Sequence, residues 1–183
     1  MDGMIETERL QLRPLRTIDA RAIAEKIDSY EISKNLARVP YPYHLSDAEE
    51  FLEWALQLDD RSAFRAISLK QHPDDLIGLI SFDWMEAKQQ AELGYWLVQK
   101  HWGKGLMTEA VCAMVEFAFT HANLESLSSC YFNENPASGK VLARAGFTAT
   151  GQCNNFSKAR GEDVPVITMF LSRKTWRIKK AAL

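Results

Sequence analysis

The sequence predicts an α+β fold, a largely antiparallel sheet with helices packed on its faces. Three observations predict it. Short apolar or alternating runs between 64 and 98 follow one another through tight connections, as in an antiparallel meander. A long helical pattern from Leu106 to about His121 carries two apolar rows, wide enough to cover a sheet. The order of strand 91–98, helix 106–121 and strand 124–132 makes a βαβ unit, whose strands should be parallel neighbours with a right-handed crossover. A chain of 183 residues that is 46% apolar suits one domain, spanning 1–183, with a core that needs no staples.

Each element has a local reason. Leu10, Leu12 and Leu15 alternate with Arg9, Gln11 and Arg13, which predicts a first strand ended by Pro14. Thr17 or Asp19 can cap a helix running to about Glu31, with Ile18, Ala22, Ile23 and Ile27 as its apolar side. Pro40 and Pro42 oppose a helix in NLARVPYPYHL. Ser46 with Glu49 reads as a capping box before a helix bearing Phe51, Trp54, Ala55 and Leu58 on one side. Phe64 to Leu69 is a strand, KQHPDD a turn, LIGLISFDW a strand with Gly78 inside it, and MEAKQQ a solvated turn. Ala91 to Val98 follows as a strand.

The rows of the long helix are Leu106, Ala110, Met114, Ala118 and Met107, Val111, Val115, Phe119. Leu124 to Phe132 is a strand. Asn135-Pro136 opens a helix with Val141, Leu142 and Ala145, closed by Gly146. Phe147 begins another strand, NNFSKARGED reads as a mobile hairpin connection, and VPVITMFL is the final strand.

Composition excludes some classes. A net charge of −2 gives no broad attraction to nucleic acid or to an anionic membrane. The start MDGMIETERL lacks the apolar stretch of a signal peptide, and no run reaches membrane-spanning length without charges. Cys112, Cys130 and Cys153 show neither pairing nor metal-ligand spacing; Cys112 and Cys130 read as buried thiols, and a reducing cytoplasm is the expected setting. His44, His72, His101 and His121 show no paired metal spacing, so no metal is expected.

The stretch ELGYWLVQKHWGKGLMTEA concentrates the chemistry. Gly103 and Gly105 flank Lys104 between a strand and a helix, where missing Cβ atoms let backbone N–H groups turn toward an anion at the helix's positive end. The spacing is neither the nucleotide P-loop nor the dinucleotide fingerprint, and a bare Gly-x-Gly is also an ordinary turn.

The surrounding residues resemble the GNAT superfamily of acyl-CoA N-acyltransferases, and more narrowly its RimJ/RimL branch of ribosomal-protein N-terminal acetyltransferases. TERLQLRPL is similar to that branch's opening, ELGYWLVQKHWGKGLMTEA to its coenzyme loop, and NPASGKVLARAGF to its third signature. Lysine at 100 departs from the usual glutamine or arginine of the loop. The resemblance implies a GNAT-type fold over nearly the whole chain. It implies acetyl-CoA as donor, held in a V-shaped opening between the strands ending at Val98 and near Phe132. The pantetheine arm would pair with backbone at Trp96, Leu97 and Val98, and the pyrophosphate with Gly103, Lys104, Gly105, Leu106, Met107 and Thr108. Asn135 and Ser138 would meet the coenzyme arm and Lys140 the adenosine end. Asn135 and Ser138 also have plain roles in capping and first-turn solvation.

The implied chemistry is direct attack of a neutral primary amine on the thioester, without an acyl-enzyme. Backbone N–H near Val98 is the expected oxyanion donor. Glu92, at the start of the coenzyme strand, is the candidate base; a substrate-binding carboxylate and a strand-end ion pair are the other readings. Alternation places Glu92, Gly94, Trp96 and Val98 on one face, opposite Leu93, Tyr95 and Leu97. Many relatives carry a tyrosine as thiolate proton donor where Leu142 stands, which leaves Ser138 or water as donor. Glu109 is expected to anchor its helix against neighbouring backbone. Residues 35–45, with Arg38, Tyr41, Pro42 and Tyr43, are the expected amine-side wall, with Trp84 and Met85 completing it.

The acceptor is expected to be a protein N-terminal amine or a small amine such as a polyamine, aminoglycoside or amino-acid-like compound. A non-catalytic acyl-CoA-binding module is the contrasting class. A homodimer is the expected assembly.

Overall fold

The computed structural model describes residues 3–58, 62–85 and 89–181. Among them, strands β1 (Ile5–Glu6), β2 (Leu10–Pro14), β3 (Ala63–Leu69), β4 (His72–Met85), β5 (Gln90–Leu97), β6 (Ser126–Phe132), β7 (Thr148–Ser157) and β8 (Glu162–Ser172) form one sheet, in the order β1-β2-β3-β4-β5-β6-β8-β7. Every neighbouring pair is antiparallel except β5 and β6, which are parallel. The helices are α1 (Ala20–Ile27), α2 (Tyr30–Ser33), α3 (Leu45–Gln57), α4 (Leu106–Thr120), α5 (Pro136–Arg144) and α6 (Arg173–Ala181). They flank the sheet on two sides. Phe117 of α4 lies against Phe82 of β4, while Leu79, Ser81 and Asp83, of opposite parity, line a cavity beside Ile23 and Ile27 of α1.

Helix α4 forms the centre of the core. All eight residues of its two predicted rows are buried. Cys112 falls between the rows and is exposed; Cys130 is half-buried at the edge of a cavity. The expected burial of both thiols is therefore corrected: an apolar neighbourhood in sequence does not set which way a helix or a splayed strand turns each residue.

Helix α1 stops at Ile27 rather than near Glu31, because Asp28 leaves the helix and its carboxylate accepts the Tyr43 N–H at 3.0 Å. Asp19 stands at the N-cap, but its carboxylate binds Arg13 and the Arg16 N–H instead of capping. Ile18 is 80% exposed and lies off the apolar side. In α3 the capping contact sits two residues early: Asp47, not Glu49, turns back, accepting the His44 N–H at 2.7 Å. Ala48 and Leu52 form its buried line, with Phe51 and Ala55 beside them and Trp54 at the rim.

The turn between β3 and β4 is only Lys70-Gln71, so most of KQHPDD is strand. Much of MEAKQQ lies outside the described residues. NNFSKARGED is largely ladder, with its turn confined to residues 158–161. Two elements escaped the pattern reading. β1 is two residues long, and α6 is highly charged, anchored by Trp176 against Phe119 and by Lys179 donating to the Gly146 carbonyl at 2.9 Å.

Gly78 fixes the approach of β4 to β5. A Cβ there would lie 2.4 Å from the Trp96 carbonyl oxygen, so no larger residue fits without moving the strand that carries the site.

Candidate active site

Strands β5 and β6 pair only from Gln90–Glu92 to Ser126–Ser128. A last tie, Ser129 Oγ donating to the Leu93 carbonyl at 2.8 Å, marks where they part. Beyond it the sheet opens into a V. Backbone parity says what faces that opening. The Val98 N–H donates to Ile77 O at 2.9 Å, and with Leu97 opposite Gly78 this turns the backbone groups of Trp96 and Val98 toward β4. Those of Leu93, Tyr95 and Leu97 therefore face the gap, as Leu93 O and Leu97 O confirm by accepting from Ser129 and from the Trp102 indole at 2.6 Å. The Val98 N–H is spent within the sheet, and the Leu97 N–H is the one directed into the V.

At the end of β5 a single 3-10 turn, Gln99–His101, leads to the glycine loop. Gly103 and Gly105 both have positive φ, 73° and 76°, which L-residues avoid, and nothing lies within 4 Å of the Gly103 Cβ position. Gly105 caps α4, its carbonyl accepting from Glu109 N at 3.1 Å. The N–H groups of Leu106, Met107 and Thr108 thus lack helical partners and carry the positive end of the helix dipole. The loop is held from outside. Arg9 Nη1 donates to Lys104 O at 3.0 Å and Arg9 Nε to Glu109 at 2.7 Å. Glu109 also accepts from the Arg9 backbone N–H at 2.8 Å and from Thr7 Oγ1 at 2.5 Å. Burial alone would raise the Glu109 carboxyl, but these bonds outweigh it and hold the group below its ordinary value. Burial, with Lys100 and Lys104 nearby, lowers the His101 imidazole.

A cleft of about 500 Å³ runs along this loop. Trp96, Leu97, Gly103, Gly105, Leu106 and Met107 line it on one side. Thr108, Asn135, Ser138, Lys140 and His101 also line it. Val98 and Lys104 do not. Val98 is buried, and Lys104 contributes its carbonyl to the Arg9 brace. Asn135 caps α5, its Oδ1 accepting from Ser138 N at 3.2 Å. Leu142, at the position of the missing tyrosine, is wholly buried and faces away from the cleft.

A second cavity of about 490 Å³ opens on the other side of β5. Residues 35–40 and Tyr43 form one wall; Tyr41, Pro42, Trp84 and Met85, also expected there, are not in it. The floor is aromatic, with Trp54 and Phe64 edge to face at 5.3 Å. Four carboxylates line it, Asp47, Glu50, Asp83 and Glu92, against the cations Arg38 and Lys158. Asp83 and Glu92 stand directly opposite each other on β4 and β5. Like charges so placed repel, and Arg38 offsets them, donating to Glu92 at 3.2 Å and lying 3.7 Å from Asp83.

The two cavities share Asn35, Leu36, Tyr95 and Trp96. Tyr95, which sequence reasoning left unassigned, reaches over the V to Ser138: the hydroxyls lie 2.8 Å apart, and the Tyr95 oxygen is also 3.2 Å from the Ser138 carbonyl oxygen. The pattern of a strand cannot reveal this contact, since it depends on where β5 and β6 part. Among the described residues no group of three His, Cys, Asp or Glu side chains is arranged to hold a metal, and no helix is long and apolar enough to cross a membrane.

Comparison with known proteins agrees with this geometry. The acetyltransferase (GNAT) domain model matches residues 9–148. The chain is 28% identical over 172 residues to the uncharacterised N-acetyltransferase p20 of Bacillus licheniformis, covering 93% of this chain and 96% of that protein. It is 35% identical over 79 residues to the ribosomal-protein-serine acetyltransferase of Escherichia coli, covering 43% of this chain and 44% of that one. In three dimensions it is similar to the spermidine N-acetyltransferase of Vibrio cholerae solved with CoA and spermine, with a TM-score of 0.81 and 22% identity over 93% of this chain and 99% of that one. The chain therefore belongs to the GNAT acetyltransferase family, as an acetyl-CoA-dependent enzyme acting on an amine acceptor.

Proposed function

We propose that the chain acetylates the α-amine at a protein N-terminus, by direct attack of the neutral amine on the acetyl thioester. The observation that carries this mechanism is the junction of the two cavities at Tyr95 and Trp96, with Glu92 on the acceptor side and Ser138 on the coenzyme side. The pyrophosphate binds the N–H groups at the head of α4, with Thr108 beside it and Lys140 at the adenosine end. The pantetheine arm pairs with the gap-facing backbone of β5 near Asn135.

The acceptor enters as an ammonium ion, drawn by Asp83 and Glu92, and Glu92 takes its proton directly or through water. Attack forms the C–N bond and places charge on the carbonyl oxygen, which the Leu97 N–H stabilises. As the C–S bond breaks, its electron pair goes to sulfur. Ser138 donates a hydrogen bond to the departing thiolate; the nitrogen's second proton, lost as the amide forms, ends on that sulfur as the thiol, and the proton Glu92 took from the ammonium passes to solvent.

The N-terminal acceptor is supported by the likeness to the RimJ/RimL branch and by the relative that modifies ribosomal protein at serine. One observation favours a small-molecule amine instead. Loop 34–44 is tied to the β7–β8 hairpin by Lys158 N donating to Ala37 O and Arg160 Nε to Lys34 O, each at 3.0 Å, which walls the acceptor cavity. Incubation with acetyl-CoA, N-terminal peptides and small amines, read by mass spectrometry, separates them. A peptide acetylated at its α-amine supports the first reading; modification of small amines alone overturns it in favour of the second.

A further inference from the structure

We infer that Tyr95 is a positioning residue for the transfer step, holding Ser138 so that its hydroxyl hydrogen is free to meet the departing sulfur; this rests on the role given to Ser138 above. A tyrosine or serine hydroxyl has one hydrogen to donate. Tyr95 lies 2.8 Å from Ser138 Oγ and 3.2 Å from the Ser138 carbonyl. The carbonyl can only accept, so the Tyr95 hydrogen is directed at Ser138 whichever of the two atoms receives it. Burial pushes the Tyr95 phenol up to about 12, which keeps that hydrogen in place at neutral pH. The hydroxyl–hydroxyl contact is the shorter, 2.8 Å against 3.2 Å, and we assign the Tyr95 hydrogen to it; the serine's own hydrogen is then released from Tyr95 and turns into the cleft.

The placement fits the purpose. Tyr95 lines both cavities, so the residue stands at the junction across which the proposed transfer runs. Ser138 lies in the first turn of α5, where the helix dipole favours negative charge, and its N–H is fixed by Asn135. Leu142 is sealed in the core, and the tyrosine hydroxyl beside Ser138 comes from β5. No atom changes hands at Tyr95. It keeps its proton throughout, and the electron pair of the C–S bond and the nitrogen's proton still end on the thiol.

The test uses Tyr95→Phe, Ser138→Ala and the double variant, with kcat, KM for acetyl-CoA, coenzyme affinity by calorimetry and Tm for each. Phenylalanine keeps the ring, so packing persists. The expected result is a fall in kcat of about tenfold for Tyr95→Phe, unchanged KM and affinity for acetyl-CoA, and a double variant no slower than Ser138→Ala. Undiminished kcat in Tyr95→Phe beside a slow Ser138→Ala overturns the inference and leaves the Ser138 role standing. A double variant whose losses multiply, or a raised KM with lowered Tm, makes Tyr95 a mere clamp across the V and also overturns it. Full activity in Ser138→Ala removes the Ser138 role itself, and the inference with it.

Discussion

Arg9 and Glu109, 100 residues apart, meet at 2.7 Å and tie the first strand region to the helix that heads the coenzyme cleft. The same guanidinium holds the Lys104 carbonyl, so one side chain ties the middle of the glycine loop to the first turn of α4. Removing it should loosen the cleft without touching its lining.

Glu109→Gln is therefore expected to raise KM for acetyl-CoA several-fold while leaving KM for the acceptor unchanged, measured by steady-state kinetics. The pair also has a pH signature. Glu109 sits below its ordinary value in the folded chain, so it binds protons more readily when unfolded. Its contribution to stability is complete above the unfolded carboxylate pKa and is lost as pH falls through the lower folded value. Thermal melts in acid should show a smaller loss of Tm for Glu109→Gln than for the wild type across that window.

Gly105→Ala should weaken coenzyme binding. At φ 76° a Cβ costs roughly 1–2 kcal/mol, so a shifted loop is the alternative to strain. Affinity for CoA, measured by calorimetry, is expected to fall about tenfold, with Gly103→Ala behaving alike.

Much of this was legible in the sequence, and the reasons differ by element. The two rows of α4 predicted burial residue by residue, because a period near 3.6 sets a helix face without knowledge of its partner. Asn135-Pro136 announced α5, and glycines at 103 and 105 announced the loop between strand and helix. What was hidden depends on distance in three dimensions. The contacts of Arg9 with Glu109 and of Tyr95 with Ser138 join segments that no local pattern links. The choice between Val98 and Leu97 as gap-facing donor turns on strand register, which a one-residue slip reverses. Cys112 shows the same limit, since its apolar neighbours concealed that it points outward.

Gly78→Ala tests how strictly β4 positions β5. Its Cβ would sit 2.4 Å from a backbone oxygen, which no rotamer relieves. Destabilisation of about 1–3 kcal/mol by denaturant unfolding is expected, together with weaker coenzyme binding, because Trp96 must move.

Glu92→Gln preserves the shape of the acceptor cavity and removes the proposed proton acceptor. A fall in kcat of at least about 100-fold is expected, with coenzyme affinity intact by calorimetry. Equal kcat with a raised acceptor KM would reassign Glu92 to binding the ammonium group.

Product analysis with the wild-type chain tests the central claim, that acetyl passes from coenzyme to amine at the meeting of the two cavities. Acetyl-CoA is supplied with N-terminal peptides and small amines, and mass spectrometry locates the acetyl group. The account predicts acetyl on an amine nitrogen, formed in step with free CoA thiol and lost in Glu92→Gln. Tight coenzyme binding with no acetylated amine from any member of the panel would contradict it.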